Sequence, residues 1–505
     1  MIRRSARTRA KAAGLAAAAA LLAGCGSTVQ ASSVPTSSDG ALGAPGTSST
    51  NGLSAPAAGL SGSVGNTPGA TGANGISSAT PGSVSTTSPD GATTTATAPQ
   101  ASVHAGSVST RAPITIGFIV TNASNAGSYG INAGQTYTDQ QLYDALVAAM
   151  NKRGGLNGRK IVPVYGVTDT AAPNWSTQFQ AACAKFTQDN HVAAVLGYIF
   201  VFMDSFESCL ARAGVPHLYG GYQPGDVEQQ RKYPTLVGTT APTSDIHWRV
   251  GLGGAVETGL LTPKNKLGVL VDACANDNAA FDRFAPQYLK AHHITYERFD
   301  VGCAAGASDN GAAASQIQSA ELQFRADGVD TVWVEGVPAL VFAEDAESQA
   351  WHPSYLMMPA GAAFEGNVPN DQLANFHGFG VIPAVDVDPQ HQPYKPNASE
   401  KRCLDMLAEQ GLHPKGYNDY FEAYTTCDSL FLYDAALRAA GGQTAAGPVV
   451  SALASVFGKT LLASTYNGVG RYIPEQHGGP GVWRQWGWAK SCSCFQYVGP
   501  THPVG

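Results

Sequence analysis

Ile114-Thr115-Ile116-Gly117-Phe118-Ile119-Val120 is a short β-branched run, and the residues after it decide what kind of sheet it belongs to. Beyond a polar loop, Leu142, Ala145, Leu146, Ala149 and Met150 recur at helical spacing until Gly154-Gly155 stops them, so a strand is followed by a helix. The alternation goes on: strand 161–167, a helix with Phe179, Ala182, Cys183 and Phe186 on one face, strand 192–196, a helix carrying Phe206, Cys209, Leu210 and Ala213, strand 215–219. Repeated βα units predict a parallel sheet covered by helices on both faces. A second series starts near Lys266, with strands at 267–272, 294–299, 331–334 and 355–358. Its helices carry Phe281, Phe284, Tyr288 and Leu289, then 317–324 and 339–350, and Pro286 predicts a kink or a late start in the first of them. Beyond Phe376 come another strand, helices near 399–410 and 420–440, and a Trp-rich strand-like end at 482–497. The fold class is α/β, with two lobes and a cleft between them.

The N-terminus carries a different message. Arg3, Arg4, Arg7, Arg9 and Lys11 precede an apolar run, 12–22, that is too short for a bilayer core needing about 20 residues. Leu22-Ala23-Gly24-Cys25 ends the run and resembles the lipobox of bacterial lipoproteins. The resemblance implies a signal peptide over 1–24, cleavage before Cys25 and a lipid on its thiol. The following 25–112 tether is Ser, Thr, Gly, Ala and Pro with no Lys, Glu, Phe, Trp or Tyr, and cannot build a core. As a flexible coil its reach is about 50 Å. No other stretch could span a membrane, so inward passage of a solute needs separate membrane subunits.

All 7 Trp and all 18 Phe fall within 113–505, enough chain for two packed lobes. The net charge of −7 and the lack of a basic run there argue against nucleic acid as a partner. Setting Cys25 aside leaves eight cysteines, an even number that reads as disulfides in an exported domain. Cys183 and Cys209 lie on the apolar faces of helices flanking one strand, Cys274 and Cys303 each closely follow a strand, and Cys403 and Cys427 sit on consecutive helices, so these three pairs are expected. Cys492 and Cys494, two residues apart, are too far separated for a bond on an extended strand. They need a tight turn, or the pairing differs.

Catalytic signatures are sparse. There is no Gly-x-Ser-x-Gly elbow, phosphate-binding Gly-Lys-Ser/Thr loop or His-Glu-x-x-His. Gly251-Leu-Gly-Gly254 lacks the third glycine of a dinucleotide fingerprint, and helix packing explains it. Asp386, Asp388 and His391 could ligate a metal but miss the calcium-loop glycine, so a solvated loop is expected. His292-His293 point apart, and Cys492-Ser-Cys494 lacks a second ligand pair for zinc. No cofactor, metal or enzymatic activity is expected.

The export signal, the two α/β series opened by 114–120, and Leu156-Asn-Gly-Arg-Lys160 leading into the second strand resemble the type I periplasmic binding proteins, in particular the leucine/isoleucine/valine-binding family that serves ABC importers. The resemblance implies three crossings between lobes, with 113–241 and 383–470 as the first lobe and 242–382 and 471–505 as the second. It also implies ligand contacts from loops at the C-terminal ends of strands. In amino-acid binders of that family, the loops matching 200–202 and 220–222 carry Ser/Thr groups for the α-carboxylate, and an acid for the amine lies near 359–361. This chain has aromatic and small residues there, which weighs against an amino-acid ligand. Tyr129, Tyr198, Phe200, Phe202, Tyr219 and Tyr222 instead offer aromatic surface, with Asn276, Asn278 or Glu335 to orient a polar end. Phe200 and Phe202 could equally start a helix and pack in the core. The expected function is capture of a small, uncharged or singly charged organic solute for ABC permease subunits on the outer face of the cell membrane. A receptor reporting to a signalling partner shares the fold, and a secreted enzyme of unrecognised type is the remaining alternative. If Cys25 carries the anchor, Cys25→Ala shifts the protein from the membrane fraction to the soluble one. Unchanged fractionation would place the anchor elsewhere.

Overall fold

The computed structural model describes residues 111–122, 135–221, 225–358, 361–391, 396–466 and 468–505. The signal peptide, Cys25 and nearly all of the tether lie outside them. Strands β1 (Ile114–Asn122), β2 (Ile161–Asp169), β3 (Ala194–Tyr198), β4 (His217–Gly220) and β5 (Leu236–Gly238) form one sheet in the order β2-β1-β3-β4-β5, parallel throughout. A second sheet is ordered β12-β11-β10-β9-β8-β6-β7, from β6 (Lys266–Asp272), β7 (Thr295–Val301), β8 (Thr331–Trp333), β9 (Ser354–Met357), β10 (Phe376–Gly380), β11 (Val482–Ala489) and β12 (Cys494–Pro503). Five of its strands are parallel, and β11 and β12 close one edge as an antiparallel hairpin.

The helices are α1 (Asp139–Lys152), α2 (Trp175–Ala184), α3 (Asp204–Ala213), α4 (Val227–Lys232), α5 (Ser244–Glu257), α6 (Ala275–Ala291) and α7 (Asn310–Ala326), followed by α8 (Gly336–Ser348), α9 (Asn370–Leu373), α10 (Pro383–Asp386), α11 (Ala398–Ala408), α12 (Tyr417–Ala439) and α13 (Ala446–Val456). Successive side chains of a strand point to opposite faces, and central strands such as β1 and β6 are buried almost continuously, so each sheet packs on both faces there. On β1, Ile116 and Phe118 enter the large core that also holds α1 and α12, whereas Ile119 faces α2 and Phe186. A third cluster covers the other face of the second sheet around Phe324, Phe342, Tyr355 and Trp486.

Several boundaries move from their expected places. The third strand starts at Ala194 rather than 192, because Val192 N–H bonds Phe186 O and finishes the preceding helix. Pro286 neither delays nor ends α6, which begins at Ala275 and runs through it. Gly251 and Gly254 lie inside α5, and a Cβ on Gly251 would sit 1.9 Å from the Trp333 ring. Close packing accounts for that glycine. The loop at 386–391 is not simply solvated: Asp386 is fully buried, accepts a hydrogen bond from the Tyr466 hydroxyl and has its carboxyl pushed far up by burial.

The three expected disulfides form, with Cα separations of 6.4 Å for Cys183–Cys209, 4.7 Å for Cys274–Cys303 and 6.0 Å for Cys403–Cys427. Cys492 and Cys494 are also bonded, across 5.2 Å. They occupy the turn between β11 and β12, where Ser493 takes a left-handed φ of 51° and brings the two together.

Helix α12 is buried along most of its length, and its polar side chains serve the loops around it. Asp419 accepts from the backbone N–H of Thr136 (2.8 Å) and Tyr137 (3.2 Å). Asp428 accepts from the backbone N–H groups of Ala463 and Ser464 and from the Ser464 hydroxyl. Ser464 in turn lies 2.7 Å from the Thr240 hydroxyl, so two of the connections between the sheets are tied to one carboxyl. A different clasp joins the loop after β2 to the loop after β7. Trp175 N–H bonds Ala305 O at 2.9 Å, Ala307 N–H bonds Ala172 O at 2.9 Å, and the Ser308 hydroxyl bonds Pro173 O at 3.1 Å. Gly306 permits this approach, since a Cβ there would lie 1.9 Å from Pro173 O.

Two stability tests follow from this packing. Gly251→Ala is expected to destabilise the protein by about 1–3 kcal/mol through overpacking against Trp333, read as a lowered urea midpoint. A midpoint equal to the parent's would show that the indole has room to yield. Burial raises Asp428 to about 7 and Asp139 to about 6, so the folded state holds protons that the unfolded chain releases near pH 4. Stability from these groups is fully present below pH 4 and is lost as pH rises to 7, by at most about 1.4 kcal/mol per pH step for each group. Melts from pH 4 to 8 check the sign, and Asp428→Asn should flatten the slope.

Candidate ligand cleft

Both sheets reverse their winding beside their first strand. β1 lies between β2 and β3, and β6 lies between β7 and β8. At such a reversal the following connections leave in opposite directions and open a crevice at the C-terminal strand ends, where open α/β sheets take ligands. In the first sheet those ends are Asn122 and Tyr198, and in the second they are Asp272 and the residues just after Trp333.

The first wall is built from β1, β3 and two helices. Thr121 N–H donates to Asp139 Oδ2 at 2.8 Å and Gln135 Nε2 donates to Oδ1 at 2.8 Å. Burial still outweighs these bonds and raises the Asp139 carboxyl to about 6. Tyr198 meets the Phe421 ring edge-on at 5.0 Å, and its hydroxyl is held well above its usual range by burial first, then by Glu422, Asp139 and Tyr417. Glu422 itself is buried and pushed far up, with the Tyr143 hydroxyl 3.4 Å away.

The second wall holds a small cavity lined by Trp248, Leu270, Asp272, Asp277, Trp333, Glu335 and Pro338. Ser244 donates to Asp277 Oδ1 at 2.6 Å and accepts from Asn276 Nδ2 at 3.3 Å. His247 Nδ1 pairs with Glu335 Oε2 at 2.9 Å. Burial, with Glu335 adding repulsion against the pull of Ser244, raises Asp277 to about 6. Asp272 keeps access to solvent, yet the crowding protein and then the charges of Asp277 and Glu335 raise it to about 7. Trp248 and Trp333 lie 5.3 Å apart, and the buried Trp333 indole N–H has no acceptor among the described residues.

Of the side chains expected from the sequence, Tyr198 lies on the first wall and Asn276 and Glu335 on the second. Tyr129 and Tyr222 lie outside the described residues. The other four are placed elsewhere. Tyr219 is fully buried on the α2/α3 side of its sheet, with its hydroxyl given to Ile199 O at 3.0 Å; strand alternation sends Leu218 to the α12 side and Tyr219 away from it. Phe200 packs edge-on against Trp175 at 5.2 Å and against Phe179 at 5.8 Å, and Phe202 joins the same cluster. Asn278 accepts from the Arg298 guanidinium on β7. Sequence reasoning expected the segment 272–278 at the cleft but gave Asp272 and Asp277 no role, and it missed Asp139, Glu422, Ser244, His247, Trp248 and Trp333. Asp277, between two asparagines already singled out, and Trp333, two residues before Glu335, were the readable signals.

Two larger hollows lie on outer helices, one around Arg402, Phe431 and Arg438, the other around Arg249, Tyr288 and Trp483. Neither borders the strand ends at the two reversals. Among the described residues no three His, Cys, Asp or Glu side chains converge as a metal site, and no helix is long and apolar enough to cross a membrane.

No family model and no curated protein matches the chain. Solved structures do. A substrate-binding protein of an ABC transporter from Desulfitobacterium hafniense, in complex with Leu, is 15% identical, covers 76% of this chain and all of its own, and superposes with a TM-score of 0.51. A solute-binding protein of an ABC transporter from Rhodopseudomonas palustris HaA2, in complex with p-hydroxybenzoic acid, gives 16%, 78% and 97% coverage, and 0.54. The branched-chain amino acid binding protein LivJ from Streptococcus pneumoniae, in complex with isoleucine, gives 16%, 77% and 100%, and 0.53. At these identities the likeness is one of architecture, and it establishes that this chain has the two-lobed α/β fold of the type I periplasmic binding proteins of ABC transporters.

Proposed function

We propose that the chain is an extracytoplasmic solute-binding protein, which captures a small organic molecule between two lobes and presents it to ABC permease subunits. The lobes in this reading are 113–241 with 383–470 and 242–382 with 471–505, and the first holds the anchor through an acylated Cys25. The observation that carries the proposal is the pair of polar and aromatic walls at the two sheet reversals, on a fold whose solved examples are solute-binding proteins of ABC transporters. Tyr198 and Phe421 supply apolar area on one side, and the carboxyls, Ser244 and the indoles supply convergent polar groups on the other. That mixture is what a small-molecule site needs. The backbone clasp through Gly306 supports the reading, because binding between lobes is completed by closing them. No bond of the solute is made or broken, so the role requires no catalytic group.

A thermal-shift screen of small metabolites tests it. The true solute at 100 times its Kd is expected to stabilise the protein by about 2.7 kcal/mol. Tyr198→Ala should weaken that solute's binding, and Gly306→Val should speed its release by obstructing the clasp. A broad library without a single stabilising member would sink the proposal.

A further inference from the structure

The charge of the cleft goes beyond its fold. Every ionisable group on the second wall except His247 is a carboxyl: Asp272, Asp277 and Glu335. His247 is engaged by Glu335 at 2.9 Å. The guanidinium on the same helix as Asp277 is Arg283, and it is held by Asp226 at 2.9 Å and Asp245 at 2.7 Å. Arg298, on β7, is held by Asp282 at 2.7 Å and Asp300 at 2.6 Å. The opposite wall adds two more carboxyls, Asp139 and Glu422, and the described titratable groups that act on Tyr198 there are these two and Tyr417. The segments 123–134, 222–224 and 359–360, which lie outside the described residues, contain no Lys, Arg or His in their sequence.

We propose that the solute is a cation, whose positively charged head seats in the cavity among Asp272, Asp277 and Glu335 beside the indoles of Trp248 and Trp333. The proposal rests on the solute-binding reading and deepens it. An anionic head brought here would meet like charges, and the cationic side chains described around the wall are already engaged by carboxylates. A cationic head relieves repulsion among three acids, and indole rings add attraction for cations that shed water. The cavity is about 20 Å³, room for one ammonium-sized group rather than a whole solute, so the rest of the molecule extends toward Tyr198 and Phe421. The buried Trp333 N–H, without an acceptor among the described residues, is free to donate to a polar group next to the charged head. Burial first, and then repulsion from neighbouring carboxyls, raises Asp272 and Asp277, and a cationic head would offset both.

The test uses the full chain without its lipid and two matched probe sets. One holds monocations, from tetramethylammonium and phenethylamine to amidines and larger amines; the other holds monoanions and zwitterions, including benzoate and leucine. Binding is followed by thermal shift and calorimetry at pH 5, 6.5 and 8. Binding by a monocation is expected, with affinity rising from pH 5 to 8 as the carboxyls ionise. Asp277→Asn and Glu335→Gln should each weaken it about tenfold or more. The wild-type pH profile carries the test if either variant fails to fold. Binding by benzoate or leucine that strengthens toward pH 5, or that is indifferent to both variants, overturns the cation and leaves the solute-binding reading intact. No response to any probe overturns both.

Discussion

A helix buried on nearly every side has no free surface on which to place polar groups, so each one it carries must be used. Helix α12 meets that constraint by handing its side chains to the chain around it. Asp419 receives the backbone just before α1, Ser429 donates to Leu218 O on β4, and Tyr433 donates to Ala193 O at the start of β3. Asp434 receives the backbone N–H of Asn157 at 2.6 Å, in the turn before β2. Unpaired, such groups would each cost about 1–3 kcal/mol. Paired, they fix the first sheet, two of the connections between sheets and the floor of the cleft to one rod. Glu422 and Phe421 reach the wall beside Tyr198 from that same rod, so the candidate cleft is anchored to it.

Much of the fold is legible because a parallel sheet writes its pattern locally. Each strand is a short apolar run, each helix a period of three to four, and Gly154-Gly155 marks the stop between them. Where reading failed, a distant contact decided. Trp333 lies far from Gly251 in sequence, yet its ring is the reason that α5 has a glycine. For Cys492 and Cys494 the sequence left a tight turn or another pairing open, and the left-handed Ser493 supplies the turn. Asp386 looked solvated because nothing nearby in sequence announces Tyr466 above it.

The site was legible at one level and opaque at the next. Strand ends can be read from the sequence, and Tyr198, Asn276 and Glu335 do lie beside the ends of β3, β6 and β8. Which way a side chain turns at a strand end depends on a single-residue parity, and Tyr219 falls on the wrong side of it. The residues that give the cleft its charge come from helices whose contact with the strand ends is a tertiary fact. Asp139 receives the end of β1 from α1, Glu422 arrives from α12, and Ser244 and His247 enter from α5. An aromatic cleft was the natural reading of the loops alone, and an acidic one emerges once the helices are in place.

The clasp between the loops after β2 and β7 is made of backbone amides and one serine hydroxyl, with no charged group in it. The Cys274–Cys303 bridge fastens the clasp loop to the residue that opens α6, the helix whose first turn carries Asn276 and Asp277. If the chain takes a solute as proposed, its arrival and departure are thereby governed by different forces. Dissolved salt screens the acidic walls and so alters how often a charged visitor is drawn in, but it leaves neutral amide bonds nearly untouched. How long a visitor stays is set by a gate that ionic strength does not turn.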